Sequence, residues 1–169
     1  LDETLSCLEI GAKLGGVARI LADRLGVWVT AYEQDGELAL LGMERSVQAG
    51  VQKKVPVQVF DPRAPELRKA YFNVVYSYGE LFKIPEKDAF LPAIADTLRD
   101  HGQILLTDYV LTRDLDEAEL GKWAKLEGEE LFPWTAQEYK EKLGALKFDI
   151  RIAKDESETH LAPRKMAWM

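Results

Sequence analysis

A glycine-rich stretch near the start of the chain has the residue types of a ligand-binding turn. Residues 5–10 are mostly apolar and predict a buried strand, and Gly11, Gly15 and Gly16 follow it. A glycine turn between a strand and a helix places backbone N–H groups and a helix N-terminus where α/β proteins bind nucleotide-like ligands. Lys13 stands where such turns usually have a further glycine. The contacts predicted from this stretch are Glu9, Gly11, Ala12 and Gly15.

Acidic residues end the next two predicted strands. Glu33 follows Val27–Tyr32 and lies about 20 residues past the glycine turn, where an acid can accept both ribose hydroxyls of an adenosine group. The alternative is that Glu33 caps the next helix, whose dipole favours an anion. Asp61 follows Val55–Phe60 and is either a contact to an adenine amino group or a turn residue before Pro62. Gln34 is the remaining predicted ligand contact at these two strand ends.

Polar and aromatic residues end the fourth and fifth predicted strands. Phe72–Tyr78 ends in Ser77 and Tyr78, which we expect to contact the ligand, and Gln103–Leu111 carries Asp108 and Tyr109. Asp108 and Tyr109, together with Glu80, are candidate general bases by position, with strand-end caps as the alternative. Four aromatic side chains can line a pocket for a substrate, including an amine cation, or can serve ordinary packing. They are Tyr78, Tyr109, Trp123 and Trp134.

Strand-like and helix-like segments alternate along the chain. A first helix is predicted over Gly15–Leu25 from the helical spacing of four apolar residues, Val17, Ile20, Leu21 and Leu25. Further helices are predicted over Glu37–Ala49, Lys87–Asp100 and Thr135–Leu146, and a sixth strand over Phe148–Ala153. This alternation predicts a doubly wound, mainly parallel α/β sheet in one domain over residues 1–169. The charged segment Thr112–Pro133 is expected to form helical pieces that act as a lid at the carboxyl end of the sheet.

Composition narrows the classes of partner. The chain has 169 residues, a formal net charge of -7 and one cysteine. The charge disfavours a nucleic-acid partner, which requires a concentrated cationic surface. The lone cysteine, Cys7, fits a reducing, cytoplasmic compartment, and no apolar run approaches the roughly 20 residues that cross a bilayer. We therefore expect a small-molecule substrate, no membrane partner and no bound metal, and we leave a homo-oligomer open. The start at Leu1 and the helix-like end Arg164–Met169 predict a fragment of a longer protein.

In their order along the chain, these segments resemble the motifs of the class I S-adenosylmethionine-dependent methyltransferases. Leu8–Gly16 is similar to the first motif, Val29–Glu33 to the second and Phe72–Ile84 to the fourth. Leu98–Tyr109 resembles the helix–turn–strand that follows. The resemblance implies a Rossmann-like fold, S-adenosylmethionine as cofactor with S-adenosylhomocysteine as product, and transfer of a methyl group to a small molecule. Within the family it is closest to methyltransferases of the phosphoethanolamine, sarcosine and ubiquinone-pathway kind.

Three departures from the family pattern keep other functions open. Lys13 replaces the central glycine, and Lys83 stands where several relatives carry a histidine implicated in substrate deprotonation. The family's sheet has seven strands and only six are predicted, so either the missing strand lies beyond Met169 or Phe148–Ala153 docks in its place. The first alternative is a degenerate methyltransferase-fold protein that binds a ligand or partner without catalysis. The second is an NAD-dependent oxidoreductase, which Asp61 and the fourth-strand motif disfavour.

Overall fold

The computed structural model describes residues 5–160, so the helix-like end Arg164–Met169 lies outside the described residues. Five strands form one sheet in which all neighbours are parallel, in the order β3-β2-β1-β4-β5. The strands are β1 (Ser6–Ile10), β2 (Trp28–Glu33), β3 (Val57–Val59), β4 (Phe72–Tyr78) and β5 (Leu98–Thr107). The helices are α1 (Gly16–Leu25), α2 (Gly36–Gln48), α3 (Lys87–Thr97), α4 (Glu117–Glu127) and α5 (Ala136–Ala145). None of the helices in this part of the chain is long and apolar enough to cross a membrane.

The sheet separates two buried clusters. Successive side chains of a strand point to opposite faces, so Cys7 enters one cluster while Leu8 and Ile10 enter the other. α1 and α2 cover the first cluster through small residues such as Ala18 and Ala39. α3 and α5 cover the second, to which they contribute Phe90 and Tyr139. This doubly wound α/β arrangement is the one that the alternating pattern predicts.

The strand order reverses at β1, which lies between β2 and β4. The chain runs outwards from β1 to β3 and then returns past β1 to form β4 and β5. In an open parallel sheet a ligand crevice forms at the carboxyl ends of the strands beside such a reversal. The glycine turn follows β1 directly and therefore lies at this point.

Of the four apolar residues whose spacing predicts α1, Leu21 packs against the first buried cluster. Val17 and Ile20 are 53% and 54% exposed, whereas Ala18 and Ala22 are buried. The contact between α1 and the sheet therefore consists largely of small side chains, which apolar spacing alone does not identify.

The boundaries around β5 also differ from the prediction. α3 ends at Thr97 and the strand begins at Leu98, so the predicted helix end over residues 98–100 is extended chain. At the turn expected near His101, the strand is irregular. His101 has a φ of 62°, and the register between β5 and β4 shifts between Phe72 and Val74. The strand ends at Thr107, short of the predicted Leu111.

The sixth predicted strand is wrong, because residues 148–153 have no regular secondary structure. The apolar alternation of Phe148, Ile150 and Ile152 is present, but Ile152 is 84% exposed. A strand requires a hydrogen-bonding neighbour, and β5 pairs only with β4 in the part of the chain that the structure describes. Alternation alone therefore overestimates the sheet by one strand.

Candidate functional site

The carboxyl edge of the sheet divides into two halves of different chemistry. We call the ends of β1, β2 and β3 the acidic half, because Glu33 and Asp61 follow two of these strands. We call the ends of β4 and β5 the aromatic half, after Tyr78 and Tyr109. Glu80, two residues past β4, lies at their boundary against the glycine turn.

The glycine turn after β1 is held in shape by the end of β2. The N–H groups of Gly11 and Ala12 both donate to the Tyr32 carbonyl at 2.9 Å, and Gly15 N–H donates to the Ala12 carbonyl at 2.7 Å. Gly11, Lys13 and Gly15 have φ values of 77°, 50° and 66°. The N–H groups of Gly11, Ala12 and Gly15 are used within the protein, so they are not the free donors that the sequence pattern predicted.

Lys13 adopts the left-handed backbone conformation that favours glycine. This explains in backbone terms why a glycine is expected at this position. Its N–H donates to Glu33 Oε2 at 2.6 Å, which holds the turn against β2. Its side chain is 64% exposed, and Nζ lies 3.1 Å from Glu80 Oε1. The lysine side chain is therefore held at the turn by an ion pair although most of it is exposed.

Glu33 is buried at the end of β2 and orders two backbone segments. Oε2 accepts the Lys13 N–H, and Oε1 accepts the Asp35 N–H at 2.9 Å. The cap of α2 is Asp35, whose side chain accepts the N–H groups of Glu37 and Leu38, so the alternative capping role belongs to Asp35. Each Glu33 oxygen has two lone pairs and here accepts one hydrogen bond, so each can accept one more, as from a pair of ribose hydroxyls.

A cavity of about 230 Å³ lies between the ends of β2 and β3 and the segment 129–132. Gln34 and Asp61 line it from the sheet side, and Lys83 from the boundary with the aromatic half. Asp61 Oδ1 accepts the Arg63 N–H at 2.9 Å, so Asp61 acts as the turn residue that the sequence allowed. Its other oxygen is available to a ligand in the cavity.

Two predicted contacts lie beneath the site rather than in it. Ser77 is buried and its hydroxyl donates to the Ile10 carbonyl at 3.0 Å, which joins β4 to β1. Glu9 is buried below the turn, and desolvation raises the pKa of its carboxyl to about 7 against hydrogen bonds with Tyr76 and the Ala18 backbone. Both residues shape the crevice from below.

Asp108 anchors the aromatic half instead of facing an open pocket. Tyr139 on α5 donates to Oδ2 at 2.5 Å, and the Phe82 N–H donates to Oδ1 at 3.3 Å. Burial raises the pKa of the Asp108 carboxyl although these hydrogen bonds and the Lys87 charge lower it. Its geometry supports a positioning role more than the role of general base.

Lys87 is a fully buried cation below the same half. Nζ donates to the carbonyls of Ile84, at 3.0 Å, and Phe132, and it lies 4.9 Å from the ring centroid of Trp134. Desolvation lowers its pKa to about 8, against the opposing charges of Asp108, Glu138 and Asp88. The contact with Phe132 holds the end of the segment Thr112–Pro133 against the sheet edge.

Aromatic rings and one histidine form the face of the aromatic half. His160 lies between two hydroxyls, with Tyr78 Oη 3.1 Å from Nδ1 and Tyr109 Oη 2.8 Å from Nε2. The Phe82 ring stacks on Trp123 of α4 with centroids 5.4 Å apart. The segment predicted as a lid thus packs over the carboxyl end of β4. Sequence reasoning missed His160, which lies in a polar segment without a motif.

Comparison with known proteins finds methyltransferases that are similar to this chain. No protein-family model matches the chain. A sterol 4-C-methyltransferase of Caenorhabditis elegans is 27% identical over 117 residues, which make up 69% of this chain and 35% of that protein. Phosphoethanolamine N-methyltransferase 1 of Arabidopsis thaliana is 24% identical over 89% of this chain and 30% of its own length. The chain spans about a third of the length of these curated relatives.

Solved structures agree with these relatives in fold. Phosphoethanolamine N-methyltransferase 2 of Haemonchus contortus, in complex with S-adenosyl-L-methionine, matches with a TM-score of 0.75 and 21% identity over 84% of this chain and 32% of that one. Geranyl diphosphate C-methyltransferase of Streptomyces coelicolor matches with a TM-score of 0.75 and 12% identity over 85% of this chain and 54% of that one. The fold is that of the class I methyltransferases. The chain is related to their S-adenosylmethionine-dependent members.

Within this methyltransferase fold, the predicted contacts fall into two groups. Gln34 and Asp61 line the cavity, and Tyr78 and Tyr109 lie in the face of the aromatic half, whereas Gly11 lies against Glu80. The other predicted contacts are buried: Glu9, Ala12, Gly15, Glu33 and Ser77. The acidic half and the aromatic half meet at β1, where the glycine turn lies against Glu80. A cofactor site and an acceptor site can therefore lie side by side along one sheet edge.

Proposed function

We propose that the chain forms the cofactor-binding core of an S-adenosylmethionine-dependent methyltransferase that acts on a small molecule. The observation that carries the proposal is the buried Glu33 carboxylate, which has capacity for two more hydrogen bonds and directly precedes Gln34, a residue that lines the cavity together with Asp61. These residues fit an adenosine group, with the ribose on Glu33 and the base in the cavity. Relatedness to methyltransferases that act on sterol and phosphoethanolamine supports the reaction class.

Catalysis in this proposal depends on alignment and exclusion of water. When bound, the cofactor supplies a methyl group on a positively charged sulfur, so the leaving group is already activated. The stacked rings of Phe82 and Trp123 cover part of the aromatic half, and exclusion of water beneath them would strengthen electrostatic contacts there. Glu33 and the turn fix one reactant, and the aromatic half fixes the other, which converts the encounter into an oriented reaction.

The aromatic half is proposed as the acceptor site. An acceptor that reacts through an N–H or O–H group must lose a proton. The tyrosine hydroxyl that faces the unprotonated nitrogen of His160 can take this proton as it passes its own proton to that nitrogen. We expect His160→Phe to lower turnover at least about tenfold while the affinity for S-adenosylhomocysteine stays within about twofold. Equal losses in both quantities would assign His160 to packing alone.

Calorimetric titration tests the proposed function directly. The folded chain is titrated with S-adenosylmethionine, S-adenosylhomocysteine and NAD, with circular dichroism as the check on folding. We expect heat with the two sulfur compounds, none with NAD, and a loss of at least about tenfold in affinity for Glu33→Gln. Folded protein that binds neither sulfur compound would overturn the proposal. Methyl transfer is then assayed with phosphoethanolamine, sarcosine and geranyl diphosphate as acceptors.

A binding protein without catalysis is the second candidate, because the side chain of Glu80 covers Gly11 and pairs with Lys13 at the turn. Binding of S-adenosylhomocysteine together with absence of transfer to any acceptor would favour it. A cytoplasmic location, a homo-oligomeric state, a lid over residues 112–133 and a single domain over residues 1–169 stay predictions from the sequence.

A further inference from the structure

Four alternating charges cross the boundary between the two halves of the site. Lys13 Nζ lies 3.1 Å from Glu80 Oε1, and Lys83 Nζ lies 3.8 Å from Glu80 Oε2. Lys83 also pairs with Glu129 at 2.6 Å. The Glu80 side chain is only 7% exposed, and that of Lys83 15%. The series thus joins the glycine turn to the segment 112–133 through a buried carboxylate.

Glu80 lies directly against the turn. A Cβ atom on Gly11 would come within 1.9 Å of Glu80 Cγ, so the carboxylate side chain occupies the space that glycine leaves. Desolvation raises the pKa of the Glu80 carboxyl above its ordinary value, while Lys83 and Lys13 lower it. A buried acid with an exposed lysine as its partner can be reached by a ligand from the lysine side.

The position of this pair along the sheet edge determines which part of the cofactor it meets. The proposed adenosine site is at the ends of β2 and β3, and the strand order places β1 and β4 next. A ligand that extends from the adenosine site towards the aromatic half must therefore cross Lys13 and Glu80. The part of S-adenosylmethionine beyond the sulfur is an α-amino acid end, with one carboxylate and one ammonium group.

We propose that Lys13 and Glu80 bind the amino-acid end of the cofactor. On binding, the two residues separate from each other, and each pairs with one of the two charged groups of the cofactor. This inference rests on the proposed function. The cofactor carboxylate binds Lys13, its ammonium binds Glu80, and Lys83 keeps Glu129 as its partner. Every charge then has an opposite charge before and after binding, which avoids the cost of an unpaired buried ion. Lys13 is accordingly a specificity residue and not an obstruction.

The test compares two probes that differ only at this end of the molecule. S-adenosylhomocysteine carries the amino-acid end, and 5′-methylthioadenosine lacks it while keeping the adenosine and the sulfur. Affinities of both are measured by calorimetry for the wild-type chain, Lys13→Gln and Glu80→Gln. Lys69→Gln is the matched control, because Lys69 forms an exposed ion pair with Asp96 outside the site.

We expect each site variant to lose at least about tenfold in affinity for S-adenosylhomocysteine and less than about threefold for 5′-methylthioadenosine, with no change for the control. Equal losses for both probes would show that the pair only shapes the turn and would overturn the inference. A gain in S-adenosylhomocysteine affinity for Lys13→Gly would also overturn it, since the lysine would then block the site. If the wild-type chain binds neither probe, the proposed function itself fails.

Discussion

The acidic half and the aromatic half of the sheet edge are assembled from contacts of different range. Glu33 bonds to Lys13 and Asp35, so the acidic half is tied together by the two turns that directly follow β1 and β2. In the aromatic half, Asp108 is held by α5, and Tyr109 meets His160 from the end of the described chain. The comparison teaches that one half is specified by its local turns, whereas the other depends on how distant segments dock.

The largest effect is expected at the glycine turn. Gly11→Ala should lower the free energy of unfolding by about 4 kcal/mol, because the new Cβ adds a clash with Glu80 to a positive φ. Gly16→Ala is the matched control, since a Cβ there meets nothing within 4 Å. Urea denaturation of both variants provides the measurement. Similar midpoints for the two would show that the turn tolerates side chains and that the acidic half is not rigidly specified.

The buried Lys87 should make the free energy of unfolding depend on pH in the alkaline range. Its pKa is lowered to about 8 in the folded chain, so the unfolded chain binds more protons between pH 8 and 10.5. The free energy of unfolding should therefore rise with pH across this window, by up to about 3 kcal/mol, relative to Lys87→Met. Stability curves measured at several pH values give this difference. A difference that stays constant from pH 7 to 10.5 would contradict the buried-cation description.

Tyr139→Phe separates anchoring from ligand binding. Removal of the hydroxyl leaves the Asp108 carboxylate without its 2.5 Å donor and should cost about 2 kcal/mol of stability. S-adenosylhomocysteine affinity should stay within about twofold, because Tyr139 lies on α5, away from the acidic half. A double-mutant cycle with Asp108→Asn should reveal coupling between the two residues. If the stability losses of the two substitutions are additive, Tyr139 does not anchor Asp108, and Asp108 is again a candidate general base.

The smallest expected effects compare one helix cap from each half. Thr135→Ala removes the capping box of α5, and Asp35→Ala removes the cap of α2, so each should cost about 1 kcal/mol. Only Asp35→Ala should also weaken S-adenosylhomocysteine binding. The variant keeps the backbone N–H that orients Glu33, but loss of the side-chain cap loosens the turn that positions this N–H. Thermal unfolding and calorimetry measure the two properties. Weaker binding in Thr135→Ala would mean that the halves are coupled more tightly than their contacts indicate.

The sequence predicted what local patterns determine. Strands that alternate with helices require crossover connections, which led to the parallel sheet, and the acid at the end of β2 followed from its distance from the glycine turn. The helix predicted from Thr135 is also present, and it begins with a capping box formed by Thr135 and Glu138. Each of these features depends on residues close together in the chain.

The errors concern features that depend on distant contacts. The apolar alternation of Phe148–Ala153 resembles that of a strand, yet no neighbouring strand is available within the described residues. Asp108 occupies the strand-end position at which a general base was predicted, yet the hydroxyl of Tyr139 on α5 donates a hydrogen bond to it. The pairing of Glu80 with Lys13 could not be predicted, because it depends on a side-chain direction that only packing against Gly11 determines.

The contact between Glu80 and Gly11 also has an evolutionary consequence. With a glutamate at position 80 in this orientation, any side chain at position 11 collides with it, so a change at position 11 is tolerated only after position 80 becomes smaller. Lys13 would lose its partner in that same step. We therefore expect positions 11, 13 and 80 to covary among homologues of this chain.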